Sequence, residues 1–226
     1  IFMGAKIEFA FLINCNKKEV LHNIIFGLFQ NEITYNKGVQ GKYTYWIDGP
    51  IWQLGDSRTI LENKETEYDT IFDMKDIICL LSKYFSPSIT FGIVVGMKEI
   101  PLTLSIFENE GSWKEAVLSL DRYDAYDSQN IETRKNTIGR FQDIFNSVVL
   151  NMSPYYGVCA TEISGLPASA ERLCINEESM GDLTYLSSAL LSQDDREKYE
   201  QNYYINTLSN GGHILIKRKN LFALGT

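Results

Sequence analysis

Three apolar runs between residues 89 and 120, ITFGIVVGM, PLTLSIF and AVLSL, are separated only by the turn-like stretches GMKEIP and ENEGSW. Joints this short connect neighbouring antiparallel strands, whereas a parallel return needs a crossover of a dozen residues or more. The region therefore predicts an antiparallel meander, and the rest of the chain has to cover at least one face of it.

The flanking segments supply that cover. AKIEFAFLI, near the start, has the pattern of a strand buried on most of both faces, and Val20, Leu21, Ile24, Ile25 and Leu28 then recur at helical spacing. Residues 41–61 predict short strands around Tyr43 and Tyr45 with a Gly49-Pro50 turn, and Ile71, Met74, Ile77, Ile78 and Leu81 form the stripe of a second helix. The longest helix is predicted from residue 130 or 131 to about 150. Ile138, Phe141, Ile144, Phe145, Val148 and Val149 form its apolar side, with Arg134, Lys135, Arg140 and Asp143 on its wet side. A strand over 155–163, a short helix over 180–191 carrying Leu183, Leu186 and Leu190, and strand-like segments at 203–205 and 221–224 complete the reading. Asn210-Gly211, or Gly211-Gly212, marks a hairpin turn before His213, because these residues tolerate positive φ.

The expected fold class is α+β: a mixed or largely antiparallel sheet with helices packed on one face. Residues 1–226 form one domain, with 3–127 and 128–226 as two closely packed, pseudo-repeated halves if the strand–helix order is a repeat. No Pro/Gly/Ser-rich linker divides the sequence. A hydrophobic fraction of 44% and an aromatic fraction of 12% are enough for a sizeable core. No run approaches the roughly 20 apolar residues of a membrane span. Ile7–Ile13 contains Glu8 and is followed by Asn14 and two lysines, with no small-residue cleavage site after it, unlike a secretory signal. Ile1 and Phe2 precede the first methionine, Met3, as at a fragment boundary. Cys15, Cys79, Cys159 and Cys174 include no C-x-x-C pair, and the first three fall in apolar patterns, which predicts reduced thiols and a cytoplasmic location.

Motifs for chemistry are few. His22 and His213 have no histidine or cysteine three or four residues away, so neither starts a zinc site. Asp121, Asp124 and Asp127 recur every third residue, but Tyr126 stands where a calcium loop of the EF-hand type needs glycine. There is no nucleophile elbow, Walker loop or dinucleotide fingerprint, and no cofactor is expected. Glu108/Glu110, Glu177/Glu178 and Asp194/Asp195 are carboxylate pairs better suited to solvated loops and helix caps than to acid–base work. One enzymatic alternative stays open, a site built around Cys159 and His213. Lys217, Arg218 and Lys219 alternate faces on a strand and make no continuous basic surface, and the pI is near 4.9, so direct nucleic-acid binding is not expected.

The distribution of acid stands out against a net charge of −8. Residues 161–201 hold nine acids against Arg172, Arg196 and Lys198, and residues 99–127 hold seven against Lys114 and Arg122. Tyrosines are interleaved with them. Aromatic contact area with negative charge suits a surface that binds a basic protein. The expected partner-binding residues are Asp121, Tyr123, Asp124, Tyr126, Asp127, Glu177, Glu178 and Asp182.

A helix running into Ser153-Pro154-Tyr155-Tyr156-Gly157, and Gly211-Gly212 before a late strand, give the chain a local resemblance to bacterial immunity proteins of polymorphic-toxin systems. Its compact, acidic form without catalytic motifs is similar as well. The resemblance implies a non-enzymatic antitoxin that occludes the active site of a cognate toxin or effector with a basic surface. A phage-encoded anti-defence inhibitor belongs to the same mechanistic class.

Overall fold

The structure, a computed structural model, describes residues 6–30, 42–46, 60–65, 75–84, 86–95, 98–122, 131–161, 163, 165–176 and 178–218. The expected strand at 221–224 lies outside them.

In chain order the elements are β1 (Lys6–Asn14), α1 (Lys17–Gln30), β2 (Lys42–Trp46), β3 (Ile60–Glu65), α2 (Lys75–Leu81), β4 (Ser88–Val95), β5 (Lys98–Glu108), β6 (Trp113–Asp121), α3 (Ile131–Met152), β7 (Tyr156–Thr161), β8 (Leu183–Leu186), α4 (Gln193–Tyr199), β9 (Tyr203–Thr207) and β10 (His213–Lys217). The strands form one ten-stranded sheet in the order β3-β2-β4-β5-β6-β1-β7-β8-β10-β9. Every neighbouring pair is antiparallel. The predicted meander is present as β4-β5-β6, and the Asn210-Gly211 turn joins β9 to β10 with Gly211 at φ +80°.

Side-chain alternation divides the sheet into two faces. Ile7, Phe9, Phe11 and Ile13 of β1, with Ile89, Phe91, Ile93, Leu102, Leu104, Leu118, Tyr185 and Ile214 from its neighbours, meet the buried stripes of α1, α2 and α3. Asn16 caps α1, accepting from the Glu19 amide at 2.9 Å, so the helix starts directly after β1. Phe141 and Phe145 of α3 pack on Phe9 and Phe11 with ring centroids 5.9 and 5.3 Å apart. Gly27 of α1 allows α3 to approach closely, since a Cβ there would lie 2.9 Å from Ser147 Oγ and 2.6 Å from Asn151 Nδ2.

The other face carries a second, smaller core, beyond the one-sided cover expected from sequence. Ala10, Leu12, Tyr156, Val158, Leu186 and Leu215 are buried there with Met180, Leu191, Tyr199 and Tyr203. Ile163, Leu166, Leu173 and Ile175, from the connection between β7 and β8, pack against it. Tyr199 brings α4 to this side.

The helix expected over 180–191 is a correction. Leu183 to Leu186 are strand, and all four side chains are buried. Leu183 and Tyr185 enter the helix-side core while Leu186 enters the second core, a two-residue period that leaves no wet stripe for a helix. Among the described residues no helix is long and apolar enough to cross a membrane, which does not bear on crossing by strands.

Two glycines test this packing in opposite directions. A Cβ on Gly181 would sit against the Cys159 carbonyl oxygen and 2.6 Å from Val158 Cγ2, whereas one on Gly139, inside α3, meets nothing within 4 Å. Gly181→Ala should lower stability by about 1–3 kcal/mol through backbone displacement. Gly139→Ala should raise it by up to about 1 kcal/mol. Urea midpoints for the two variants check both signs.

Candidate functional site

The β6–α3 and β7–β8 connections leave the sheet at the same end. Asp121 closes β6 opposite Lys6, the first residue of β1, and Ile7 pairs with Thr161 at the close of β7. Cys159 in turn pairs with Leu183, which opens β8. The order β6-β1-β7-β8 thus puts Asp121 and the start of β8 three strand spacings apart across the sheet, about 14 Å, and offset by about 10 Å along the strands. Asp121 of one acidic stretch and Glu178 and Asp182 of the other, distant in sequence, come to one rim, where Lys6, Arg122 and Lys217 also lie.

Local bonds fix how the acids are displayed. Asp121 is exposed. At the start of β8, the Asp182 amide donates to the Cys159 carbonyl at 2.8 Å and its carbonyl accepts from the Lys217 amide at 3.1 Å, so half-buried Asp182 is held by the backbone on both sides. Exposed Glu178 lies in a turn closed by reciprocal bonds: the Asn176 amide donates to Ser179 Oγ at 2.9 Å and the Ser179 amide to Asn176 Oδ1 at 3.0 Å. The Tyr156 hydroxyl donates to the Ser179 carbonyl and ties this turn to the second core. Tyr123, Asp124, Tyr126, Asp127 and Glu177 lie outside the described residues.

Two acids that sequence reasoning passed over hold the strap that leads to this turn. Glu8 Oε2 accepts from the Ile163 amide at 2.7 Å, and Glu115 Oε1 accepts from the Leu166 amide at 3.0 Å. Burial pushes the Glu115 carboxyl above its ordinary value of 4.5; the Leu166 amide opposes that shift and the charge of Glu8 adds to it. Arg172 adds a bridge to Glu110 at 2.6 Å, but both groups are more than half exposed, so it contributes little. The available signal was a lone glutamate inside the otherwise apolar AKIEFAFLI.

Other candidates turn out to be structural. Glu108 binds Lys17 at 2.6 Å; this charged hydrogen bond, first among the causes, holds the carboxyl below its ordinary range. Lys17, itself buried, also donates to the Tyr84 carbonyl. Asp195 serves the cap of α4: its amide donates to Ser192 Oγ, the N-cap, at 3.2 Å, and its carboxylate accepts from the Ser192 hydroxyl at 2.6 Å.

Cys159 and His213 are not brought together. Cys159 is buried in the helix-side core, where desolvation first and Asp182 second push its thiol well up. His213 alternates with Ile214, which faces the helices, and so belongs to the opposite face. There it bonds Thr207 Oγ1 at 3.1 Å, and desolvation, then Arg196, lower its pKa.

No protein-family model matches this chain, and no curated protein matches it in sequence. Among solved structures, the fold is similar to that of the Pseudomonas aeruginosa T6SS protein PA0821, with a TM-score of 0.52 at 11% identity. The alignment covers 94% of this chain and 66% of that one, so the chain spans just under two thirds of its length. At this identity the likeness shows a shared fold.

The strap makes a prediction with a defined sign. A carboxyl raised by folding favours stability below its unfolded pKa, and that contribution is lost as pH rises through the folded value. Glu115→Gln keeps an acceptor for Leu166 and removes the charge, so its urea midpoint should exceed wild type at pH 7 and converge with it below the ordinary carboxylate range. Glu115→Ala, which strands the Leu166 amide, should lose about 1–3 kcal/mol at either pH.

Proposed function

We propose that this chain is a non-enzymatic binding protein that neutralises a partner protein, an immunity-type inhibitor of a toxin or effector with a basic surface. The observation that carries the reading is that Asp121 of one acidic stretch and Glu178 and Asp182 of another stand at one end of one sheet. Asp121 and Glu178 are exposed there, and Asp182 is fixed by backbone bonds. Charge concentrated on a pre-formed rim accelerates encounter with an opposite patch, and ordered display lowers the entropy lost on docking. The local resemblance to immunity proteins of polymorphic-toxin systems supports the same reading. A fold shared with a T6SS protein is consistent with a setting in which effectors and their inhibitors are found.

Affinity capture from the source organism at low and moderate salt supplies the partner, and association kinetics then test the surface. Asp121→Lys with Glu178→Lys should slow association by about tenfold or more and flatten its salt dependence. Asp143→Lys, at an exposed position on α3 in the helix layer, should leave both unchanged. Equal behaviour of the rim and helix variants, or the absence of any salt-sensitive partner, would contradict the proposal.

A further inference from the structure

The β9–β10 turn contains Asn210-Gly211-Gly212, and each of these residues has a separate task. The Gly211 amide donates to the Leu208 carbonyl at 3.0 Å with its own φ at +80°, a conformation glycine adopts without strain. Gly212 is buried, and a Cβ there would strike the Tyr185 hydroxyl. Asn210 docks the turn on the end of α3. Its Nδ2 faces three acceptors, the Val149 carbonyl at 3.3 Å, Ser153 Oγ at 3.1 Å and the Tyr185 hydroxyl at 3.3 Å. Its Oδ1 accepts from the Gly212 amide at 3.0 Å. The helix stops at this point: the Ser153 amide donates to the Val149 carbonyl at 3.0 Å, and Ser153 stands in the left-handed region at φ +44°.

Docking therefore requires a side-chain amide followed by glycine, and that pair is chemically labile. Glycine has no side chain to hinder attack of its nitrogen on the preceding carboxamide. Asn210-Gly211 is the one Asn-Gly pair in the sequence, and Asn210 is exposed.

We propose that Asn210 is a site of spontaneous deamidation, and that its conversion to aspartate or isoaspartate releases the β9–β10 turn from α3. The Gly211 nitrogen gives up its proton to hydroxide and bonds to Asn210 Cγ. The Cγ–Nδ2 bond breaks, and Nδ2 leaves as ammonia after taking a proton from water. A second water then opens the cyclic imide at either carbonyl. Aspartate keeps an oxygen for the Gly212 amide but puts a carboxylate where Nδ2 stood. Ser153 and Tyr185 can turn their hydroxyls towards it. The Val149 carbonyl cannot donate, and the negative end of the α3 dipole opposes the new charge. Isoaspartate goes further: its main chain runs through the former side chain and lengthens a turn that the Leu208 amide closes on the Gly212 carbonyl at 2.8 Å. While the turn is docked, Leu208 occupies the Gly211 N–H and the carboxamide is held at both ends, so reaction follows local opening. The bonds that dock the turn thus also set its chemical lifetime.

Ageing the intact chain at mildly alkaline pH, with peptide mapping that separates asparagine, aspartate and isoaspartate, tests this. Asn210 should convert before any other asparagine of the folded chain, and faster again in urea. Tyr185→Phe, which removes one acceptor, should speed conversion by about fivefold, the equilibrium equivalent of one hydrogen bond. In the aged wild type, and in Asn210→Asp, hydrogen exchange at the Ser153 and Gly211 amides should rise by about tenfold. Three results would each overturn the proposal: conversion that starts at another asparagine of the folded chain, a rate that Tyr185→Phe leaves unchanged, or converted protein whose turn and α3 end exchange as in the fresh chain.

Discussion

Strand β1 has no face left for water, and the fold is arranged around that fact. Phe9 and Phe11 point to the helices, Ala10 and Leu12 point the other way, and all four are fully buried. Its two edges are occupied as well, by β6 and by β7. Burying a large apolar side chain contributes about 1.5–3 kcal/mol, so a strand of this kind stabilises the molecule only when both layers are in place. Three helices supply one layer. The β7–β8 connection and α4 supply the other, and Glu8, the one polar residue of β1 between its end residues Lys6 and Asn14, holds that connection by its backbone.

The placement of Asp121, Glu178 and Asp182 follows from this arrangement. Because β1 pairs on both sides, the chain leaving β6 and the chain leaving β7 depart from the same end of the sheet with one strand between them. Asp121, Glu178 and Asp182, distant in sequence, come to one end of the sheet. The turn carrying Glu178 stays in place because Tyr156, on β7, reaches through the second core to the Ser179 carbonyl. Core packing and the display of charge are thus linked, and a lesion in the second core should be felt at the rim.

Elements with a long, unambiguous period were legible in the sequence. The α3 stripe from Ile138 to Val149, the β4-β5-β6 meander and the β9–β10 hairpin were all readable, because local periodicity and turn chemistry agree there with the tertiary fold. Strand β8 was not: Leu183, Leu186 and Leu190 recur at helical spacing, and only burial on both faces shows that a two-residue period governs. Contacts between distant segments were hidden for a different reason. Glu8 meets Ile163 and Glu115 meets Leu166 across separations of 155 and 51 residues, for which one sequence carries no register. The same ignorance of register left Cys159 and His213 open as a pair, although they point to opposite sides of the sheet.

The central claim is that the end of the sheet bearing Asp121, Glu178 and Asp182 receives a basic partner. Hydrogen–deuterium exchange of this chain, alone and bound to its captured partner, tests that claim most directly. The account predicts new protection at the close of β6 and through residues 176–182, with α1 and the outer surface of α3 unchanged. Protection centred on the helix layer, with the rim exchanging as in the free chain, would contradict it.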